Sequence, residues 1–395
     1  MAGMGIRALE LARALQAEYD VCLLVSNDPE EARAVAGGVP VQTAPAGALA
    51  AAAKGAHAAV VSGHAANWWF HQAPGVPVAV DLYDPFFVEN LHYAPVLGEQ
   101  TARHDRATLA LALARGDFYL CASPEQRLFY AGALYAAGRV GARNFPGDPQ
   151  LASLIAEVPF GVPAEPASGD PGRGRSAAGL PAGGPVVLFG GVYDWYDPEI
   201  LLAAWPAVLE KHSDAKLLFF ENPNPESTPQ KVYARLLERA RAIDPGGRSV
   251  FFSPWLPYAS RADLYAAADL VVSISSPGLE TDLAFRTRLL DAAWGGVPSV
   301  SVNGGAIARA LEEAGAGLRA GPAAASIAAS VSAFLSDGAR RRSAGEAARR
   351  FAAERAWGRV AAPLVSWCRV PRVDPGRLPF PAAPGRSVWR RLTGR

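Results

Sequence analysis

Three carboxylates, Glu280, Asp282 and Asp291, share one run of sequence with two guanidinium groups, Arg286 and Arg288. The run reads Glu-Thr-Asp-Leu-Ala-Phe-Arg-Thr-Arg-Leu-Leu-Asp and continues Ala-Ala-Trp-Gly-Gly-Val-Pro to Pro298. Carboxylates accept hydrogen bonds from hydroxyl groups, and guanidinium forks grip phosphate or carboxylate through paired N–H donors. Together they suit a ligand that carries both hydroxyls and an anion. The run follows one apolar segment, residues 270–275, and precedes another, residues 299–302, so its charges collect where a strand feeds a helix. In an open parallel sheet that edge binds ligands. Unpaired backbone N–H groups at a helix start near residues 285–287 would add to the attraction for an anion. Either arginine could instead pair with Glu280 or Asp282 and simply fix the loop.

Other chemistry-bearing residues also sit at strand ends. His64 follows residues 60–63 and is a candidate acceptor contact or base, or a locally hydrogen-bonded histidine. Asp81 and Asp84 follow residues 76–80, where they would hold a hydroxylated substrate or cap the next helix. Cys22, Cys121 and Cys368 are isolated, without the close pairs of a zinc site or the density of a disulfide scaffold, and fit a reducing cytosol. Glu280-Thr281-Asp282 is the nearest approach to a metal-holding Asp-x-Asp, and no metal or other cofactor is expected.

The elements that would position these groups alternate. Residues 19–25, 60–63, 76–80 and 117–122 read as strands in the first half, and residues 186–189, 216–220, 249–252, 270–275 and 299–302 in the second. Residues 8–16, 101–115, 231–243, 261–267, 306–314, 323–335 and 346–365 carry helical patterns. Gly3-Met4-Gly5-Ile6-Arg7 reads as a glycine turn opening the first helix, or as the start of an ordinary frayed N-terminal helix; such turns normally follow a strand, so the first strand is expected to be missing, through a late start or through its loss. Residues 164–184 turn to glycine, proline, serine and alanine, a linker and hinge without core-forming residues. The expected organisation is a Rossmann-like domain over 1–163, the linker over 164–184, a second Rossmann-like domain over 185–365 and a Pro/Arg-rich tail over 366–395. The fold class is α/β, with two doubly wound parallel sheets facing an interdomain cleft.

The chain has 395 residues, with 38 basic and 37 acidic residues and a formal charge of +1, which gives no general attraction for nucleic acid. Apolar runs stop short of the ~18–20 residues that span a bilayer, so a soluble, cytoplasmic protein is expected. Its tail, with Arg386, Trp389, Arg390 and Arg391, is a candidate for weak peripheral contact with an anionic membrane. The richness in alanine, glycine, arginine and proline matches a GC-rich bacterial coding bias.

In these features the chain resembles the GT-B glycosyltransferases, and within them the retaining nucleotide-sugar enzymes of family 4. The resemblance reaches to about residue 365. It is carried by Gly3-Met4-Gly5-Ile6-Arg7, by Val158-Pro159-Phe160-Gly161-Val162-Pro163, by Gly190-Gly191, and most by Leu290-Asp291-Ala292-Ala293-Trp294-Gly295-Gly296-Val297-Pro298. It implies transfer of a sugar from a nucleotide-sugar donor to a glycan, lipid-linked or small-molecule acceptor, with retention of configuration, the departing phosphate helping to deprotonate the acceptor. It also implies two carboxylates eight positions apart. Asp291 matches the second, which holds the ribose; Leu283 stands at the first, leaving Glu280 or Asp282 for the sugar. Gly190 and Gly191 fall on the donor side, and Gly5 and Arg7 on the acceptor or diphosphate side. The family's arginine and lysine after the second glycine turn are replaced by Tyr193, Asp194, Trp195, Tyr196 and Asp197, which makes Arg286 and Arg288 the substitute cations. Trp255, Leu256 and Tyr258 are candidates to pack on the nucleotide base. The competing readings are a metal-dependent transferase of the other common fold, a degenerate GT-B protein that binds without turnover, and a sugar-nucleotide epimerase.

Overall fold

The computed structural model describes residues 3–25, 29–43, 49–73, 75–221 and 230–379. The chain divides into two compact units, one of Met1–Ala14, Leu91–Val96 and Pro159–Ala361, the other of Leu15–Asn90, Leu97–Val158 and Ala362–Arg395. These limits differ from the boundaries expected at 163 and 365. Residues up to 14 join the larger unit, and those from 362 join the smaller.

In the smaller unit β1 (Leu23–Val25) pairs with β2 (Val41–Thr43). A four-stranded parallel sheet follows in sequence order: β3 (Ala59–Ser62), β4 (Val78–Asp81), β5 (Phe118–Cys121) and β6 (Ile155–Glu157). Its central strands are short apolar runs with Val78, Ala79, Val80, Tyr119, Leu120 and Cys121 wholly buried, as a parallel sheet covered on both faces requires. Trp69, Phe70, Tyr130 and Leu134 pack against it.

Part of the expected tail closes this unit. Arg377 pairs with the fully buried Asp117, its Nε donating to Oδ1 at 2.9 Å. Arg139, also buried, donates to Asp374 at 2.6 Å, and the Leu378 amide donates to the Ala114 carbonyl at 2.9 Å. Burial still holds the Asp117 carboxyl above its ordinary range, against Arg377 and the two backbone N–H groups of Asp374 and Val78. Replacing Arg377 by alanine strands that carboxylate and is expected to cost about 3–5 kcal/mol, read as a lower urea midpoint. Arg386, Trp389, Arg390 and Arg391 lie outside the described residues, none of whose helices is long and apolar enough to cross a membrane.

The larger unit holds six parallel strands: β7 (Val186–Gly191), β8 (Lys216–Phe220), β9 (Val250–Ser253), β10 (Leu270–Ile274), β11 (Ser299–Val302) and β12 (Gly317–Arg319). Their order is β12-β11-β10-β7-β8-β9. From β7 the chain winds outward to β9, then returns to lay β10 on the other side of β7, so the winding reverses between β7 and β10. Ligands of doubly wound sheets bind at such a switch point.

Three local expectations are corrected. Residues 3–7 form no glycine turn; they are the first turns of the helix Gly3–Gln16, which buries Ile6, Leu9, Leu11, Ala12 and Leu15. The helix expected over 346–365 breaks into Gly338–Ala353, Trp357–Val360 and Ala362–Arg369. The break follows from pairing with the preceding extended segment: the Val162 amide donates to the Arg355 carbonyl and the Trp357 amide to the Val162 carbonyl. Residues 164–184 are no loose linker. They carry the helix Pro171–Ala177, docked on the helix Arg261–Ala267 so closely that a Cβ at Gly174 would come within 2.0 Å of the Asp263 carbonyl oxygen. Asp263 ties the two together by accepting from the Asp170 amide at 2.7 Å and pairing with Arg173.

Candidate donor site

At the switch point of the larger unit a cavity of about 230 Å³ opens beside Leu188 and Gly190 of β7 and Val271 of β10. The backbone has to turn sharply there: Gly190 has a φ of +87° and the register between β7 and β8 shifts at that point. Arg288 holds the turn, with Nη1 donating to the Phe189 carbonyl and Nη2 to the Gly191 carbonyl, both at 2.6 Å. Its guanidinium lies 4.1 Å from the centroid of the Tyr196 ring. Arg288 and Asp291 are three residues apart on the helix Thr287–Gly295, and so reach one face together. Thr287, Arg288 and Asp291 all line the cavity, and no side chain caps the helix start beside them.

Asp291 keeps 20% of its side chain exposed, and its Oδ1 stands 3.9 Å from Arg261 Nε. Burial pushes its carboxyl up to about 6, although Arg261 pulls the other way. Burial likewise holds the Arg261 guanidinium below its ordinary range. Trp255 and Tyr258, from the segment after β9, form an aromatic wall with Leu256 between them in sequence, and a Cβ on Gly191 would sit 3.1 Å from the Trp255 ring.

Of the residues singled out in the sequence, the cavity therefore gathers Gly190, Gly191, Trp255, Leu256, Tyr258, Arg288 and Asp291. It does not gather Glu280, Asp282 or Arg286. Glu280 and Arg286 are side chains exposed by only 2% and 3%, joined in a two-pronged ion pair at 2.8 and 2.6 Å, with Thr281 Oγ1 taking a further bond from Arg286. Glu280 and Arg286, expected in a catalytic and a donor role, are held by each other and away from the cavity lining: two opposite charges so close to one another and so far from water neutralise each other. Asp282 is exposed on the short helix Leu279–Leu283, whose Leu283 is buried. Arg7 is wholly buried, donates to the Pro159 carbonyl at 3.1 Å and does not line the cavity; Gly5 is exposed on the same helix. Among the lining residues that sequence reasoning passed over is Arg261, since no spacing distinguishes it from any arginine that opens a helix; Gly3 and Phe160 enter it only as parts of motifs.

His64, Asp81 and Asp84 belong to the smaller unit. His64 opens the helix Gly63–Gln72, stacks on His104 with ring centroids 4.9 Å apart, and places Nδ1 3.3 Å from Thr108 Oγ1. Burial lowers its pKa, His104 adds to this, and Asp105 opposes both. Asp81, at the end of β4, is buried and accepts from the Tyr83 amide at 3.3 Å; Asp84 is half-buried.

Residues 184–337 match the family model described as Glycosyl transferases group 1. All the cavity-lining residues except Gly3, Ile6 and Phe160 fall inside that stretch. No curated protein matches the sequence. Among solved structures, HepE of Anabaena, in complex with UDP and glucose, is similar at a TM-score of 0.68 and 17% identity, over 93% of this chain and 96% of that one. Sucrose-phosphate synthase from Thermosynechococcus elongatus gives 0.67 and 17%, over 93% of each chain. WaaG, a glycosyltransferase involved in lipopolysaccharide biosynthesis, gives 0.62 and 14%, over 94% and 96%. Identities this low speak for the fold. The chain has the GT-B fold, and its residues 184–337 match the group 1 glycosyl transferase model.

Proposed function

We propose that the protein transfers a sugar from a nucleotide-sugar donor to a hydroxyl of a glycan, lipid-linked or small-molecule acceptor, with retention of configuration. The observation that carries this is the cavity at the β7–β10 switch point, where a carboxylate, a helix start and a guanidinium-braced glycine turn meet inside a group 1 glycosyl transferase domain. The solved complex of HepE with UDP and glucose, on the same fold, supports a donor of that class.

In this reading Asp291 accepts hydrogen bonds from the ribose hydroxyls and the aromatic wall of Trp255 and Tyr258 packs on the base. Cleavage of the sugar–phosphate bond leaves positive charge on the ring and negative charge on the diphosphate. The start of the helix at Thr287 and the charge of Arg288 meet the latter. The departing phosphate takes the proton of the attacking hydroxyl, so no histidine base is needed, and His64, Asp81 and Asp84 are assigned to the acceptor. Asp282 is the remaining candidate for the sugar contact. No step calls for a metal.

Incubation of the protein with a panel of nucleotide sugars and acceptors is expected to release nucleotide and give a product whose anomeric configuration, read by NMR, matches the donor; activity should survive chelator. The ion pairing of Glu280 and the leucine at position 283 favour one second reading, a protein that binds a nucleotide sugar without turnover. That protein would show a thermal shift with the donor and no released nucleotide.

A further inference from the structure

Arg261 is a largely buried cation that finds no hydrogen-bond partner among the described residues. Its side chain is only 11% exposed, yet among the described residues the guanidinium donates no hydrogen bond, and Nε is a buried donor without a partner. The one carboxylate within 4.0 Å there, that of Asp291, stands at 3.9 Å, beyond hydrogen-bonding distance. Taking a guanidinium out of water without bonding its N–H groups is costly, so the fold must hold it in place. It does so from two sides. The helix that Arg261 opens is clamped by residues 169–174, where Cβ atoms at Gly169 and Gly174 would each come within 2.0 Å of carbonyl oxygens of Ala262 and Asp263. The guanidinium Cζ lies over the Tyr258 ring, 3.7 Å from its centroid, and over the Trp294 ring at 4.7 Å. Contact with ring faces stabilises the cation and leaves its N–H edge available.

We infer that Arg261 is a further anion-binding residue of the cavity, taking the diphosphate of the donor together with Arg288 and the helix start at Thr287 while Asp291 takes the ribose. This rests on the donor-site reading above. It also accounts for the cations absent from the glycine turn: Arg288 spends two of its N–H groups on the turn's carbonyls, and Arg261 brings a second positive charge from the next loop around the sheet.

The test is calorimetric titration of the full chain with UDP, GDP and ADP and with their nucleosides. One diphosphate is expected to bind the wild-type protein at least about 10-fold tighter than its nucleoside, the scale of charge-assisted hydrogen bonds. Arg261→Gln should lower that ratio by at least about 5-fold, the charge of Arg288 and the helix start remaining, while leaving nucleoside affinity within about 2-fold. Arg261→Met, which keeps the apolar stem against Tyr258, reads the same ratio should the glutamine variant fail to fold. A wild-type ratio near one, or a ratio unchanged in the variants, overturns the inference alone. Failure of all three diphosphates to bind wild-type protein overturns the donor reading and this inference with it.

Discussion

Replacing Asp291 by asparagine is expected to lower kcat/KM for the donor by about 10- to 100-fold, the range spanned by one or two hydrogen bonds to a charged group. The same variant should unfold at a higher temperature than the wild type at neutral pH. Both effects come from one carboxylate held in a poorly solvated wall. Burial raises its pKa from the ordinary carboxylate value to about 6, and that net shift already contains the opposing pull of Arg261. A carboxyl that binds its proton more tightly when folded adds stability below its unfolded pKa, near 4, and that contribution is lost as pH rises through about 6. Above pH 6 the protein therefore carries a destabilising charge, and asparagine removes it, for a gain of at most about 3 kcal/mol. Ribose hydroxyls need the ionised form as acceptor, so wild-type donor KM should rise as pH falls through about 6, and Asp291→Asn should flatten that profile. A variant that lost activity without gaining stability, or that kept the acid limb, would remove Asp291 from the donor site.

What was legible in the sequence was whatever rests on local pattern. The strands at 216–220 and 299–302 and the helices at 231–243 and 261–267 stand where apolar spacing puts them, because their buried faces are written in consecutive residues. The three-residue strands β2 and β12 were not legible, since a run so short has no period. Residues 164–184 misled because composition reports only side chains, whereas their packing is made by glycine backbone lying against a neighbouring helix. Asp291 was legible because helix position and motif agreed. The two arginines were harder: Arg286 and Arg288 are two residues apart in sequence, and on a helix start that spacing points them differently. Tyr196, which stands in the turn where the family keeps a cation, receives both, at 5.0 Å from Arg286 and 4.1 Å from Arg288. The turn has no positive charge of its own and is braced by charge from the helix across from it.

The ion pair of Glu280 and Arg286 leads to the second large expectation. Glu280→Ala and Arg286→Ala should each lower folding stability by about 3–5 kcal/mol, because either leaves an opposite charge buried without its partner. Removing both at once should cost less than the sum of the two, a coupling that a double-mutant cycle in urea would read directly. A catalytic Glu280 predicts the reverse pattern: Glu280→Ala would stay folded and fail only in turnover. Asp282→Asn supplies the contrast. Its side chain is exposed, so its stability should stay within about 0.5 kcal/mol of wild type. If Asp282 takes the sugar contact, its kcat falls while the affinity for the nucleotide diphosphate is kept. The two neighbouring carboxylates would then be separated by which quantity each one moves. One is the anchor that lets the loop after β10 hold its shape against the sheet, and the other is the side chain that this anchored loop presents to solvent.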